Sequence, residues 1–183
     1  MADEVTDESL LKDFAAGRPR GLEELARRYE PRLLGLAWGL LGGDQALAFD
    51  AVQETWLRVI RFGDKFDGRS SFKTWLYRIT INQCRNLLAS RGLVLASQVP
   101  DEMPSPEASP EQSATTAEQR DSLRAAMRGL SEDKSLLLLL CYHEGMTHEQ
   151  AAEILGIPVG TLKSRLHAAL EELRGRLSPE IRS

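Results

Sequence analysis

Cysteine is scarce: Cys84 and Cys141 are the only two in 183 residues, far apart and each inside a helical pattern. A disulfide framework is not indicated, and each reads as a small buried hydrophobe. No apolar run approaches the roughly 18 residues that a membrane span needs. The opening MADEVTDESLLKDF is acidic where a secretory leader is basic and then apolar, so a soluble cytoplasmic chain without membrane insertion is expected. No segment alternates like a strand over a useful length. There is no glycine-rich phosphate loop and no nucleophile beside a plausible base, so neither a cofactor nor catalysis of its own is expected. HEGMTH, His143 to His148, resembles a zinc-protease motif only superficially. Its histidines are five apart rather than four, and Gly145 interrupts the helix that would aim both at one metal. The net charge of -4 argues against indiscriminate coating of nucleic acid, although the distribution of charge matters more than its total.

What is present is helical periodicity. Leu22, Leu25, Tyr29, Leu33, Leu36 and Leu40 recur at the spacing of one helix face between Gly21 and Leu41, and the GGD at Gly42 to Asp44 stops it. A second helix is predicted from about Gln45 to Arg61, with Ala48, Val52, Trp56, Val59 and Ile60 inward. GDKFDGRSS forms a loop, and a third helix follows from Phe72 to about Leu88, carrying Leu76, Ile79, Cys84 and Leu87. The fold class is therefore all-α.

Between Ala96 and Ala117 the sequence becomes ASQVPDEMPSPEASPEQSATTA, with four prolines, four serines, four acids and no Lys or Arg. It cannot bury enough apolar surface to offset its ordering entropy and reads as a flexible acidic linker, 96–117, joining two small helical domains, 1–95 and 118–183. The second domain begins with a helix from Ser122 to Leu130, with Leu123, Ala126 and Met127 inward. Next comes EDKSLLLLLCYHEG, whose five leucines, Leu136 to Leu140, point in every direction; they lie between several helices or turn one side to a partner. Thr147 and Gln150 form a capping box for a short helix with Ala151, Ala152 and Leu155 inward, ended by Gly156. Pro158 then presets the first turn of the next helix.

That last pair has the layout of a helix-turn-helix. Leu162, Leu166, Leu170, Leu173 and Leu177 form an apolar stripe, and Lys163, Ser164, Arg165 and His167 stand near the front, suited to base edges and phosphates in a major groove. The competing reading is a plain helical hairpin with a solvated basic face. A second electrostatic signal lies in the first domain. From Gly68 to Pro100 there is no acid, while Arg69, Lys73, Arg78, Arg85 and Arg91 are interleaved with Phe72, Trp75 and Tyr77. Cations that track a backbone and rings on which bases stack are what single-stranded nucleic acid requires, although one face of this helix must be core.

Three stretches in this order carry a family resemblance: DAVQETWLRVIR (Asp50 to Arg61), FDGRSSFKTWLYRITINQCRN (Phe66 to Asn86) and MTHEQAAEILGIPVGTLKSRLHAALEELR (Met146 to Arg174). The chain resembles the sigma-70 family of bacterial RNA polymerase specificity subunits, and its size and two-domain layout are similar to the extracytoplasmic function group. The resemblance implies that 1–95 is a region 2 domain and 118–183 a region 4 domain. Asp50, Gln53 and Glu54 would dock on the clamp helices of the largest subunit of core RNA polymerase. The loop with Lys65, Phe66, Asp67, Arg69 and Ser70 would hold a flipped base of the melted minus-ten element, and Lys73, Trp75, Arg78, Asn82, Arg85 and Asn86 would line that strand. Thr161, Lys163, Ser164, Arg165 and His167 would read the minus-thirty-five duplex. The leucine-rich helix would meet the flap of the second-largest subunit, the linker would thread toward the RNA exit path, and an anti-sigma factor would hold the protein in check. Phe49 and the arginine-poor NLLASRG depart from the family pattern. A self-sufficient helix-turn-helix regulator with an N-terminal sensing or dimerisation domain is the alternative; it predicts palindromic duplex binding without polymerase.

Overall fold

The computed structural model describes residues 5–92, 123, 125–127 and 129–177, and among these all regular elements are helical. The chain divides into two compact units, Met1–Ala37 with Asp44–Val94 and Trp38–Gly43 with Leu95–Ser183. The linker 96–117 and both of its predicted boundaries lie outside the described residues. Among the described residues no helix is long and apolar enough to cross a membrane.

The first unit contains α1 (Asp7–Ala15), α2 (Arg20–Leu40), α3 (Gln45–Phe62), a 3-10 turn (Gly63–Lys65) and α4 (Phe72–Ser90). As the spacing predicts, α2 buries Leu25, Tyr29, Leu33 and Leu36, while Leu22 is only half-buried. The start of α3 is fixed by Asp44, whose Oδ1 accepts the Leu47 N–H at 3.0 Å. Ala48, Val52 and Val59 are inward as expected, but Trp56 is half-buried and Ile60 is 48% exposed. Thr55 is buried in their place, its hydroxyl donating to Ala51 O at 2.8 Å. In the same way α4 buries Leu76 and Cys84, leaves Ile79 and Leu87 half-buried, and buries Thr80, whose hydroxyl donates to Leu76 O at 3.0 Å. Threonine can enter this core because the carbonyl four residues back satisfies its only polar atom.

A further helix, α1, precedes the first apolar period at Gly21. Thr6 caps it, accepting the Ser9 N–H at 3.2 Å, and Leu10 and Leu11 are buried. Gly21 permits its close approach to α2: a Cβ at that position would lie 2.2 Å from the Leu10 carbonyl oxygen. Asp7 binds α2 by its charge, accepting from the Arg28 guanidinium at 2.9 Å and from the Tyr29 hydroxyl.

In the second unit α5 (Glu132–Leu138) continues into a wide π turn (Leu139–His143), followed by α6 (His148–Leu155) and α7 (Val159–Arg176). Leu136, Leu137, Leu138 and Leu140 are buried, so most of the leucine run lies between helices, while Leu139 is half-buried and keeps part of its surface open. The π turn, closed by the Glu144 N–H on Leu139 O at 2.9 Å, turns Tyr142 outward, 64% exposed. Of the predicted preceding helix, Ala126 and Met127 are buried, but Leu123 is exposed. Lys134 on α5 is paired with Glu172 on α7, and Arg176 meets the same carboxylate at 2.9 Å.

Candidate nucleic-acid interface

The turn between α6 and α7 is built from local signals. Thr147 Oγ1 accepts the Gln150 N–H at 3.2 Å, and Gln150 Oε1 accepts the Thr147 N–H at 3.0 Å, which completes the capping box. Ala151, Ala152 and Ile154 are buried, while Leu155 is half-buried. Gly156 ends α6 at φ 67, a left-handed conformation that costs other residues. Pro158 is the residue before α7, extended at ψ 144, and so sits one position ahead of the first turn that it was expected to occupy.

Leu162, Leu166 and Ala169 bury one side of α7, and Leu170, Leu173 and Leu177 are half-buried. Lys163, Ser164, Arg165 and His167 are exposed, and Thr161 is half-buried. At 3.6 residues per turn, the face opposite the buried side is centred on Gly160, Ser164, His167 and Ala168, with Lys163 on one edge and Arg165 on the other. Small side chains in the middle allow close approach to a groove, and cations on both edges suit the two phosphate strands that border it. Glu149, at the front of α6, has its carboxyl held below the ordinary range first by its own backbone N–H, then by Thr147, with Lys163 and His148 adding to the effect.

In the first unit, Lys65, Asp67 and Arg69 are exposed and Phe66 and Ser70 half-buried. Asp67 shapes the loop: its Oδ1 accepts the Arg69 N–H at 3.1 Å, its other oxygen lies 3.0 Å from the Arg69 guanidinium, and Gly68 between them has φ 70. Ser71 then caps α4 by accepting the Thr74 N–H at 3.1 Å. The Phe66 ring rests 5.3 Å from Trp75 and 6.4 Å from Phe72, and Phe72 meets Tyr29 edge-on at 5.8 Å. Phe72 and Tyr77 are fully buried, so of the three rings interleaved with arginines only half-exposed Trp75 faces outward.

Trp75, Arg78, Asn82, Arg85 and Asn86 follow one another on a single stripe of α4; both asparagines are exposed and the other three half-buried. Lys73 lies off that stripe, its Nζ 5.7 Å from the centre of the Tyr77 ring. Asp50, Gln53 and Glu54 are all exposed and share one edge of α3. Beside them stand Phe49, 51% exposed, and Leu57, so this edge joins carboxylates to apolar surface. Periodicity alone does not pick out Phe49 and Leu57; their position next to the exposed Asp50 and Gln53 register is the signal that could have done so.

Other chemistry is not favoured by the geometry. His143 ends the π turn and His148 opens α6, with Gly145 at φ 61 between them, so the two do not share a helix. Burial pushes the Cys84 thiol up to about 12 and raises that of Cys141, leaving both short of thiolate.

These features define a class: a helical DNA-binding protein with a helix-turn-helix in one unit and, in the other, a ring, two arginines and two amides along one helix. Comparison with known proteins narrows it. The family model for Sigma-70 region 2 matches residues 25–93, and that for Sigma-70, region 4, matches residues 120–173. The chain belongs to the sigma-70 family. It is similar to the ECF RNA polymerase sigma-E factors of Haemophilus influenzae (29% identical, covering 98% of this chain and 99% of the relative) and Escherichia coli strain K12 (29% identical, 100% of both). In fold it resembles CnrH, solved in complex with the cytosolic domain of CnrY (TM-score 0.64, 22% identity, 92% of this chain and 95% of that one). It also resembles RpoE from Bartonella quintana, solved with the anti-sigma factor NepR (TM-score 0.66, 23% identity, 86% and 97%).

Proposed function

We propose that this chain is an alternative sigma factor of the extracytoplasmic function group, which binds core RNA polymerase and directs promoter-specific initiation in the cytoplasm without catalysing a reaction itself. The observation that carries the reading is the α4 stripe beside the loop 63–71. A self-sufficient helix-turn-helix regulator has no use for a ring, two arginines and two amides aligned outside its duplex-reading unit, whereas a protein that holds an opened strand needs that combination. Residues 1–95 form the region 2 domain, 96–117 the tether and 118–183 the region 4 domain. Each bound site then raises the effective concentration at the other.

Asp50, Gln53 and Glu54 dock on the clamp helices of the largest subunit, their acceptors meeting cations while Phe49 and Leu57 supply apolar contact. The loop residues Lys65, Phe66, Asp67, Arg69 and Ser70 receive a flipped minus-ten base, and Trp75, Arg78, Asn82, Arg85 and Asn86 hold the strand, with Lys73 adding charge nearby. Thr161, Ser164 and His167 read the minus-thirty-five duplex between the phosphate contacts of Lys163 and Arg165. The flap of the second-largest subunit meets the outside of α5 and the π turn, where Tyr142 stands. An anti-sigma factor, the type of partner seen with the Bartonella RpoE, controls access to core.

Run-off transcription with core RNA polymerase on a panel of candidate promoters tests this, using the chain and an Asp50→Ala, Gln53→Ala double variant. Promoter-specific transcripts that disappear with the variant are expected. No transcripts, together with a duplex footprint made without polymerase, would return the protein to the ordinary helix-turn-helix regulators.

A further inference from the structure

The loop 63–71 is held at both ends by a helix distant from it in sequence. At its front, Gly63 has no side chain, and the space is filled by Leu11 of α1: a Cβ on Gly63 would meet Leu11 Cδ1 at 3.0 Å. At its back, the first N–H of α4, on Phe72, has no partner within its own helix. It donates instead to Glu8 Oε1 at 2.9 Å, across 64 positions of sequence. Both gripping residues lie on α1, which packs against the 3-10 turn and against α4. The helix α1 is in turn fixed to α2 through Asp7, which accepts from Arg28 and Tyr29, and Tyr29 meets Phe72 edge-on. Within the loop, Phe66 leans on Phe72 and Trp75. A change at Glu8 is therefore passed to Phe72, and through Phe72 to the two rings that border the loop.

The geometry points to α1 as the positioning element of the recognition loop: Glu8 and Leu11 hold its two ends so that it is already in its competent shape when a displaced base arrives. Glu8 acts through the Phe72 N–H and touches no nucleic acid. This rests on the reading that the loop receives the minus-ten base. A loop released from one anchor spends only part of its time in the competent shape, and apparent affinity falls by that fraction. The contact needs an acceptor on residue 8, and the amide of glutamine supplies one where alanine does not.

The test uses full-length protein in holoenzyme and a fork-junction DNA from a promoter found by run-off, single-stranded at the minus-ten element, alongside the same fork with one abasic minus-ten position. Glu8→Ala is expected to bind the intact fork about tenfold more weakly, as for a loop competent about a tenth of the time. It should also lose most of the discrimination against the abasic fork while keeping its affinity for core. Glu8→Gln should remain within about twofold of the parent chain, because it keeps the acceptor. Gly63→Val, which pushes on Leu11 from the other end, should reproduce the Glu8→Ala defect and carries the test if Glu8→Ala does not fold. Full discrimination against the abasic fork in Glu8→Ala or Gly63→Val, or equal damage in Glu8→Gln and Glu8→Ala, overturns the proposal. Trp75→Ala separates the levels. If it abolishes fork binding while Glu8→Ala is normal, only the positioning role falls; if it binds normally, the reading of the loop falls and the proposal with it.

Discussion

Replacing Lys163 or Arg165 by alanine removes one cation from either edge of the outward face of α7. Both side chains are exposed, and the buried side of the helix, Leu162, Leu166 and Ala169, is untouched, so each variant should fold with stability within about 0.5 kcal/mol of the parent chain. If each cation neutralises one phosphate, removing it lowers the slope of log affinity against log salt by about 0.9. Over a fourfold rise, from about 50 to about 200 mM salt, the parent then weakens about 3.5-fold more than either single variant, and about 12-fold more than the double variant. The single losses should be nearly equal for cognate and mutated minus-thirty-five sequences, since phosphates carry no sequence. Ser164→Ala and His167→Ala, at the centre of the face, should leave the slope alone and relax discrimination by about 1–3 kcal/mol at one or two base pairs. Holoenzyme binding to promoter duplex, titrated by anisotropy at several salt concentrations, measures both quantities. An unchanged slope in the Lys163→Ala, Arg165→Ala double variant would refute the assignment of α7 to the groove.

Gly156→Ala should lower stability by about 1 kcal/mol, read as a shift in denaturant midpoint; the cost is purely conformational, since φ is 67 and nothing lies within 4 Å of a Cβ there. Gly21→Ala is a different case. Its Cβ would meet the Leu10 carbonyl at 2.2 Å, a backbone atom that no side-chain rotation relieves. A loss of about 1–3 kcal/mol is expected, visible as a lower melting temperature. Glu24 carries a pH signature. Hydrogen bonds from Arg27 and then Arg28 hold its carboxyl at about 2, below the ordinary 4.5. A carboxylate depressed on folding contributes stability that is complete above its unfolded value and disappears as pH falls through the folded one. The gap in denaturant midpoint between the parent and Glu24→Gln should therefore be present at about pH 6 and close between about pH 4.5 and 2. A gap that is constant across this window would mean that the arginines do not hold Glu24.

Helix existence was legible wherever the apolar period ran for several turns, as in α2, α3, α4 and α7, because those faces are buried by the same rule that patterns them. The helix-turn-helix was legible for a related reason: a capping box and a left-handed glycine are local devices that need no distant partner. Hydropathy failed where it had to choose which side chains enter the core. Ile60 and Ile79 are more apolar than Thr55 and Thr80, yet the threonines are inside, since a hydroxyl bonded to its own helix can be buried. Tyr77, which the spacing offers as an interface ring, is core, and so are four of the five leucines that could have formed a partner surface, Leu139 alone being half-buried.

The sequence alone determined that the chain is helical, that a helix-turn-helix lies near its end and that basic and aromatic residues collect without acids from Gly68 onward, because periodicity, capping and composition act over a few residues at a time. Only the tertiary structure decided which ring of the acid-free helix faces outward, that Phe49 and Leu57 are left exposed beside Asp50 and not packed into the core, and that α1 grips the loop 63–71. Each of those depends on a contact between segments far apart in the chain, and the Glu8 carboxylate and the Phe72 N–H are brought within a hydrogen bond of each other only after their helices have packed.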